Sequence, residues 1–104
     1  MRVVMVIDSL AQGGAEASTI ALAPHLVRRG VELELVCLDE RRHGTEALEQ
    51  AGIPVRVVGR GPAAWRRLAK RVAGADLVHT QLWAAHQYGR LAARRAGVPV
   101  VSSL

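Results

Sequence analysis

The sequence has few aromatic residues and a single cysteine, and each scarcity excludes some kinds of protein. Of 104 residues, two are tryptophan, one is tyrosine and none is phenylalanine. Proteins that bind single-stranded nucleic acid usually stack bases on aromatic side chains, so we expect no nucleic-acid partner. Cys37 cannot form an internal disulfide or a cysteine pair for a metal. Because it lies in the apolar run 35–38, we interpret it as a core residue.

Long hydrophobic runs are also missing. The N-terminal stretch "MRVVMVIDSL" is interrupted by Asp8, is shorter than the apolar region of a signal peptide and lacks a cleavage site of small residues. No run approaches the roughly 18 apolar residues of a membrane span. We therefore expect a cytoplasmic protein.

Charge is unbalanced toward positive, with 14 basic and 9 acidic residues and a formal net charge of +5. Such a surface attracts phosphate-bearing partners such as nucleic acids, anionic lipids and nucleotides. Charge alone does not choose among them.

The hydrophobic half of the sequence is aliphatic and is arranged in five short runs, rich in β-branched residues and bounded by Gly, Pro or polar residues, as strands are. These predicted strands are residues 3–7, 33–38, 53–58, 76–80 and 98–102. Helical spacing of apolar residues lies between them, at residues 15–29, 45–51, 63–73 and 83–96.

Two of the predicted helices contain residues that disfavour helix. Pro24 predicts a kink or a break in the first helix, because it removes a backbone hydrogen bond. Gly89, in the last helix, costs about 1 kcal/mol relative to alanine unless it permits a close helix–strand contact. In that helix we expect Tyr88, Leu91 and Ala92 to face inward.

Strict alternation of strands and helices predicts right-handed crossovers and an α/β fold. We expect one domain over residues 1–104, a doubly wound, parallel, five-stranded Rossmann-like sheet in the order 3-2-1-4-5. The sequence ends directly after the fifth strand, which favours an incomplete domain.

In such sheets, ligands bind at the carboxyl ends of the strands where the order reverses, here between the first and fourth strands. The bordering loops are residues 8–16 and 79–86. Gly13-Gly14 opens a helix there, and the glycine pair alone supports two interpretations equally: a tight turn, or a backbone cradle for a phosphate. The dinucleotide pattern G-x-G-x-x-G and the phosphate loop G-x-x-x-x-G-K-[ST] are both absent.

Four further residues near this crevice are candidates for binding. Glu16 suits the first turn of a helix electrostatically, and a contact with a sugar hydroxyl is the second interpretation. His79 ends the predicted fourth strand, Gln81 follows, and His86 lies one turn into the next helix. A metal site at His79 and His86 is disfavoured, because no cysteine or carboxylate lies beside them.

The helix at residues 63–73 places Arg66, Arg67, Lys70 and Arg71 opposite Trp65 and Leu68. A solvated basic face is the ordinary interpretation. The alternative is peripheral contact with an anionic membrane, although the apolar face is needed for packing on the sheet.

Several segments together resemble the N-terminal part of GT-B glycosyltransferases, in the retaining group called glycosyltransferase family four. They are "MRVVMVIDSLAQGGAE", "LVRRGVELELVCL", "AGIPVRVVG", "ADLVHTQLW" and "GRLAARRAGVPVVSSL". The Gly-Gly-Ala-Glu loop after the first strand is the most specific element.

The resemblance implies a two-domain enzyme that moves a sugar from a nucleotide-sugar donor to a hydroxyl acceptor, with this chain on the acceptor side. It implies substrate contacts from Gly13, Gly14, Glu16, His79, Gln81 and His86, and no metal or other cofactor. It assigns no catalytic residue. Gln81 stands where many relatives have histidine and cannot exchange a proton near neutral pH. The remaining part of the N-terminal domain and the whole donor domain are missing, so we expect no activity from this chain alone. The alternative is a non-catalytic module that binds a nucleotide or another protein.

Overall fold

The fold is a five-stranded sheet with a helix between each pair of successive strands, in a computed structural model that describes residues 1–8, 14–39, 45–81 and 83–103. The strands are β1 (Arg2–Ile7), β2 (Glu32–Cys37), β3 (Val55–Val57), β4 (Leu77–Gln81) and β5 (Val100–Ser103). The helices are α1 (Gly14–Arg28), α2 (Thr45–Gln50), α3 (Pro62–Val72) and α4 (Trp83–Ala96). The predicted succession of elements is confirmed.

The sheet is entirely parallel, and its strand order is β3-β2-β1-β4-β5. β1 is central: Met5 pairs with Leu35 of β2 on one side and with His79 of β4 on the other. The predicted doubly wound order is therefore confirmed, as expected when every crossover is right-handed.

Alternate residues of β1 point to opposite faces of the sheet, and both faces are buried. Val4 and Val6 pack with Leu68 of α3 and Ala92 of α4 in one apolar cluster. The other cluster contains Val3, Met5 and Ile7 of the same strand, together with residues of α1 and α2 such as Ala23 and Leu48. We call these two sides the α4 face and the α1 face. Cys37 is fully buried on the α1 face, as predicted.

Glycines end the helices where the sequence predicts. Gly30 has φ 92°, the left-handed conformation that glycine adopts without strain, and the N–H of Val31 donates to the carbonyl of Leu26 at 3.1 Å. Gly97 ends α4 in the same way, with φ 71° and a 2.9 Å bond from the Val98 N–H to the Ala93 carbonyl.

Two local predictions differ from the structure. Of the kink or break expected at Pro24, the break is not observed: α1 is continuous from Gly14 to Arg28, and its residues Ala23 and Leu26 pack on the sheet. The expectation that Leu91 faces inward is wrong: its side chain is 55% exposed, while its neighbour Ala92 is fully buried. The buried residues of α4 are small, among them Ala85, Ala92 and Ala93. None of the helices in the described ranges combines the length and apolar character that a membrane span requires.

Candidate functional site

The candidate site lies at the carboxyl ends of β1 and β4, the point where the strand order reverses. Ile7 and Gln81, the last residues of these two strands, are register partners. Asp8 follows Ile7 directly, and α4 begins two residues after Gln81. The two chain segments that leave this edge therefore diverge to opposite faces of the sheet, α1 to one and α4 to the other.

Of the glycine pair, the structure describes only Gly14. Gly14 is the first residue of α1, so a helix opens at this glycine, as predicted. Glu16 lies in that first turn, but its side chain is outside the described residues, and Gly13 is outside them altogether. A phosphate or sugar contact at these three residues stays a prediction.

β4 begins and ends one residue later than the sequence suggests, and this changes the position of His79. The strand ends at Gln81, so His79 is its middle residue and pairs with Met5. His79 is half-buried and lines an apolar groove on the α1 face with Leu77 and Val101. Gln81, half-buried on the same face, is the side chain of β4 that reaches the carboxyl edge.

His86 belongs to α4, which packs on the face of the sheet opposite His79. Its side chain is outside the described residues. The structure therefore places His79 and Gln81 on one face and the helix that carries His86 on the other. Among the described residues, no group of three or more His, Cys, Asp or Glu side chains is arranged to hold a metal ion.

A carboxylate that the sequence analysis did not select organises this edge. The Oδ1 atom of Asp8 accepts a hydrogen bond of 2.6 Å from the backbone N–H of Ala85, in the first turn of α4. First-turn N–H groups have no partner within their own helix, so Asp8 caps α4 from the position directly after β1, 77 residues earlier in the chain. Residues 4, 6 and 8 alternate along the chain and so point to the same face of the sheet. Because Val4 and Val6 pack against α4, this spacing indicates that Asp8 points toward α4 as well.

Arg60 links Asp8 to a second carboxylate. Its guanidinium donates two hydrogen bonds to Asp39, with Nε–Oδ1 at 2.8 Å and Nη2–Oδ2 at 3.1 Å, and Nη2 lies 4.0 Å from Asp8 Oδ2. The hydrogen bond to Asp39 raises the pKa of Arg60 above its ordinary value, with smaller contributions from the charges of Asp39 and Asp8, while partial burial acts in the opposite direction. Asp39 is thus one side of a bidentate ion pair.

The next residue, Gly61, is held by α4. Its backbone N–H donates to the hydroxyl of Tyr88 at 2.7 Å. Gly61 has φ 95° and precedes Pro62, the first residue of α3. The loop that carries Arg60 is therefore fixed both by Asp39 and by Tyr88.

The contact between α4 and β4 depends on Gly89. A Cβ atom at this position would overlap the Cγ2 methyl of Thr80, which is fully buried, and would lie 3.6 Å from Thr80 Cβ and 3.7 Å from Val6 Cβ. The Oγ1 of Thr80 is hydrogen-bonded to Ser102 Oγ at 2.7 Å. Gly89 therefore permits a close helix–strand contact, the condition under which the sequence analysis expected no cost from glycine at this position.

Electrostatically, this edge is unsuited to a diphosphate on its α4 side. The Ala85 N–H is already bonded to Asp8, and two carboxylates share one guanidinium. Carboxylates are hydrogen-bond acceptors, so this side of the edge fits groups that donate, such as hydroxyls. On the α1 side, the first turn of α1 and the amide of Gln81 supply donors.

A family model described as Glycosyltransferase Family 4 matches residues 12–104, nearly the whole chain. The chain belongs to Glycosyltransferase Family 4. The match covers α1 to β5, including Gly13 and Gly14, the strand that carries His79 and Gln81, and the helix that carries His86. Among curated proteins, no sequence match to this family member reaches significance.

Solved structures of glycosyltransferases share the fold of this family member. Anabaena Alr3699/HepE in complex with UDP-glucose superposes with a TM-score of 0.79 and 23% identity, over 98% of this chain and 28% of that one. A glycosyltransferase from Rickettsia africae gives 0.74 and 18%, over 99% and 29%. Acinetobacter baumannii MurG gives 0.69 and 21%, over 97% and 34%. The chain thus spans about a third or less of each of these structures and has a Rossmann-like portion of the GT-B fold, as the resemblance implied.

Proposed function

We propose that this chain forms the acceptor side of an enzyme that transfers a sugar from a nucleotide-sugar donor to a hydroxyl acceptor. Membership of Glycosyltransferase Family 4 supports the class of reaction. The carboxylates at the edge between β1 and β4 support the acceptor role, and this observation carries the proposal.

The charges of Asp8, Asp39 and Arg60 favour a hydroxyl acceptor over the diphosphate of a donor. A diphosphate placed on the α4 side would meet Asp8 and Asp39 with one guanidinium between them, and it would find the Ala85 N–H occupied. A hydroxyl can donate to a carboxylate and accept from Arg60 in the same place. Because charged hydrogen bonds are stronger than neutral ones, this cluster selects hydroxyl groups over anions.

The α1 side is proposed to approach the sugar that is transferred. The backbone N–H groups at the start of α1, near Gly13 and Gly14, can donate to the donor's phosphate or sugar oxygens. Gln81, at the end of β4, can hydrogen-bond a hydroxyl, and Glu16 and His79 belong to elements on the same face. His86 is proposed to contact substrate from the opposite wall, since α4 starts at this edge.

A UDP-sugar is the donor we propose, since Anabaena Alr3699/HepE was solved with UDP-glucose. Retention of configuration at the sugar and independence from metals are parts of the same proposal, as the family resemblance implies. The chain spans about 28% of Alr3699/HepE, so catalysis would also need residues from outside this chain. We therefore expect the 104-residue chain to be inactive alone. Peripheral contact with an anionic membrane is a separate proposal, supported by the exposed cations Arg66, Lys70, Arg94 and Arg95 of α3 and α4.

The test is sugar transfer by the product of the whole gene, assayed with UDP- and GDP-sugars in the presence and absence of a chelator. We expect transfer from a UDP-sugar that is insensitive to the chelator, with the anomeric configuration of the product retained in its NMR spectrum. Absence of both transfer and hydrolysis with every donor would refute the proposed enzymatic activity. Calorimetric binding of NAD or a free nucleotide by the 104-residue chain, without transfer by the gene product, would favour the binding-module alternative.

A further inference from the structure

A groove between β3 and α3 is lined by positive side chains from both elements. Its volume is about 510 Å³, within the range of roughly 300–1,000 Å³ found for sites that bind small molecules. Two of its six lining residues are Val57 and Val58, and the other four are cationic: Arg56 of β3, and Arg67, Lys70 and Arg71 of α3. The groove shares no lining residue with the candidate site at the edge between β1 and β4.

One carboxylate brings together cations from the two walls of this groove. The register partner of Arg56 is Val36, which lies on the α4 face, so Arg56 points to the face that carries α3. Arg56 Nε and Arg71 Nη1 both lie 3.8 Å from Oε1 of Glu34. This distance makes an ion pair and not a hydrogen bond, and the buried Oε1 has no hydrogen-bond partner among the described residues. Glu34 therefore orients two guanidinium groups and leaves their N–H donors available to a ligand.

The other two cations also present donors to the groove. Nε and Nη2 of Arg67 both donate to the carbonyl of Val58, at 3.2 and 2.6 Å, which fixes the guanidinium and leaves Nη1 for another acceptor. Lys70 is exposed and forms neither a hydrogen bond nor an ion pair within the part of the chain that the structure describes. Residues 67, 70 and 71 are three and four positions apart, so their side chains lie together on one side of α3.

The protein does not balance the charge of the groove. Four cations line it, and among the described residues Glu34 is the carboxylate that pairs with them, which leaves three positive charges. A cleft lined by one sign of charge concentrates the electrostatic field and attracts the opposite charge. A phosphate group carries about 1.5 to 2 negative charges at neutral pH, so two or more phosphates are needed for balance. Arginine binds phosphate oxygens with two parallel donors, and lysine binds them as a point charge.

The lining of the groove disfavours larger anionic partners. None of the large hydrophobic side chains that are exposed in the described ranges borders it: Met1, Leu22, Leu91, Val100 and Val101. The groove therefore has no apolar group to enter a bilayer. Its lining also contains no aromatic side chain on which a base could stack, so single-stranded nucleic acid is not favoured.

We propose that this groove binds a soluble ligand with two or more linked phosphate groups. Arg56 holds the ligand from the side of β3, and the three cations of α3 hold it from the other side. Because Glu34 and the carbonyl of Val58 already fix three of the four cations, little side-chain ordering opposes binding. The proposal does not rest on sugar transfer.

Calorimetric titration of the 104-residue chain with sodium tripolyphosphate, without divalent cations, tests this site. We expect a single bound tripolyphosphate per chain, weaker binding as salt is added, and weaker binding of pyrophosphate and then of inorganic phosphate. Arg56→Gln with Lys70→Gln removes one cation from each wall. An exposed charged contact contributes about three- to tenfold in affinity, so this double variant should bind tripolyphosphate about 10- to 100-fold more weakly. Lys70→Gln alone, which breaks no contact with a described residue, should lose about three- to tenfold.

The matched control is Arg94→Gln with Arg95→Gln. It removes the same charge from the last turn of α4, outside the groove, and should change the affinity little. Circular dichroism and thermal unfolding check that each variant keeps the fold. Equal losses for the two double variants, an unchanged affinity after Lys70→Gln, or failure of the parent chain to bind tripolyphosphate would each overturn the proposal.

A lipid headgroup is the other source of phosphate that the experiment separates. Phosphatidylglycerol vesicles are mixed with the parent chain and with the double variant Arg56→Gln with Lys70→Gln. A larger loss of binding to vesicles than to tripolyphosphate would overturn the proposal, since the groove would then be a lipid site. None of these measurements depends on a sugar donor, so this proposal and the enzymatic one fail separately.

Discussion

Replacing Gly89 with alanine tests the closest contact in the fold, the approach of α4 to β4. In an exposed helix this substitution would stabilise by about 1 kcal/mol, because alanine has the higher helix propensity. Here the new methyl overlaps the Cγ2 of Thr80, which is fully buried and whose hydroxyl is hydrogen-bonded to Ser102. Thr80 cannot rotate away without losing that bond, so α4 must lift from the sheet.

The expected magnitude follows from three contributions. Overpacking costs about 1–3 kcal/mol, a weakened Thr80–Ser102 hydrogen bond costs about 1 kcal/mol, and helix propensity returns about 1 kcal/mol. We expect a net destabilisation of about 1–3 kcal/mol, measured by urea unfolding followed by circular dichroism. In a domain of this size, each kcal/mol lowers the melting temperature by about 4–8 °C.

A double-mutant cycle isolates the overlap. Thr80→Ser removes the methyl and keeps the hydroxyl, so Gly89→Ala should cost less in the Thr80→Ser background than in the parent chain. If Gly89→Ala instead stabilises the parent chain, or if its cost is unchanged by Thr80→Ser, the close packing of α4 on β4 is refuted.

Three further tests by substitution address separate features of the molecule. Asp8→Ala should destabilise by about 1–2 kcal/mol in thermal unfolding, because α4 loses its cap, whereas Asp8→Asn should cost much less, because an amide oxygen still accepts the Ala85 N–H; equal costs would contradict the cap. Tyr88→Phe should cost about 1 kcal/mol in urea unfolding, since the Gly61 N–H loses its acceptor, and no measurable loss would contradict this bond. Leu68→Ala should destabilise by about 2–5 kcal/mol, whereas Leu91→Ala should stay within about 0.5 kcal/mol, because Leu68 is buried and Leu91 is exposed; similar values for the two would contradict the observed orientation of α4.

Much of the fold could be predicted because local signals and chain geometry agree. β-Branched runs bounded by glycine and proline mark the strands, Gly30 and Gly97 end helices with positive φ, and the handedness of crossovers fixes the strand order. Pro24 shows where local propensity is overridden, since packing on the sheet keeps α1 continuous through it.

The position of the candidate site could be predicted from the topology of the sheet, but the side chains that form it could not. Topology places the crevice between β1 and β4, and Gln81, the register partner of Ile7, lies at that edge. The bond from Asp8 to Ala85 joins residues 77 positions apart, and no spacing in the sequence encodes such a pair. β4 was predicted to end at Thr80 but ends at Gln81, so His79 is its middle residue. In a parallel sheet one residue decides which side chain reaches the edge.

The most direct test of the acceptor-side proposal compares Asp8→Asn with Glu49→Gln in the product of the whole gene. Asp8→Asn keeps the cap on α4 but removes a charge from the edge, whereas Glu49→Gln removes a charge from the exposed face of α2. We measure the acceptor KM, kcat and the Kd of the UDP-sugar for both variants. The account predicts that Asp8→Asn raises the acceptor KM severalfold and leaves the donor Kd unchanged. Glu49→Gln, the control, should leave the acceptor KM unchanged. A change in the donor Kd with no change in the acceptor KM would contradict it.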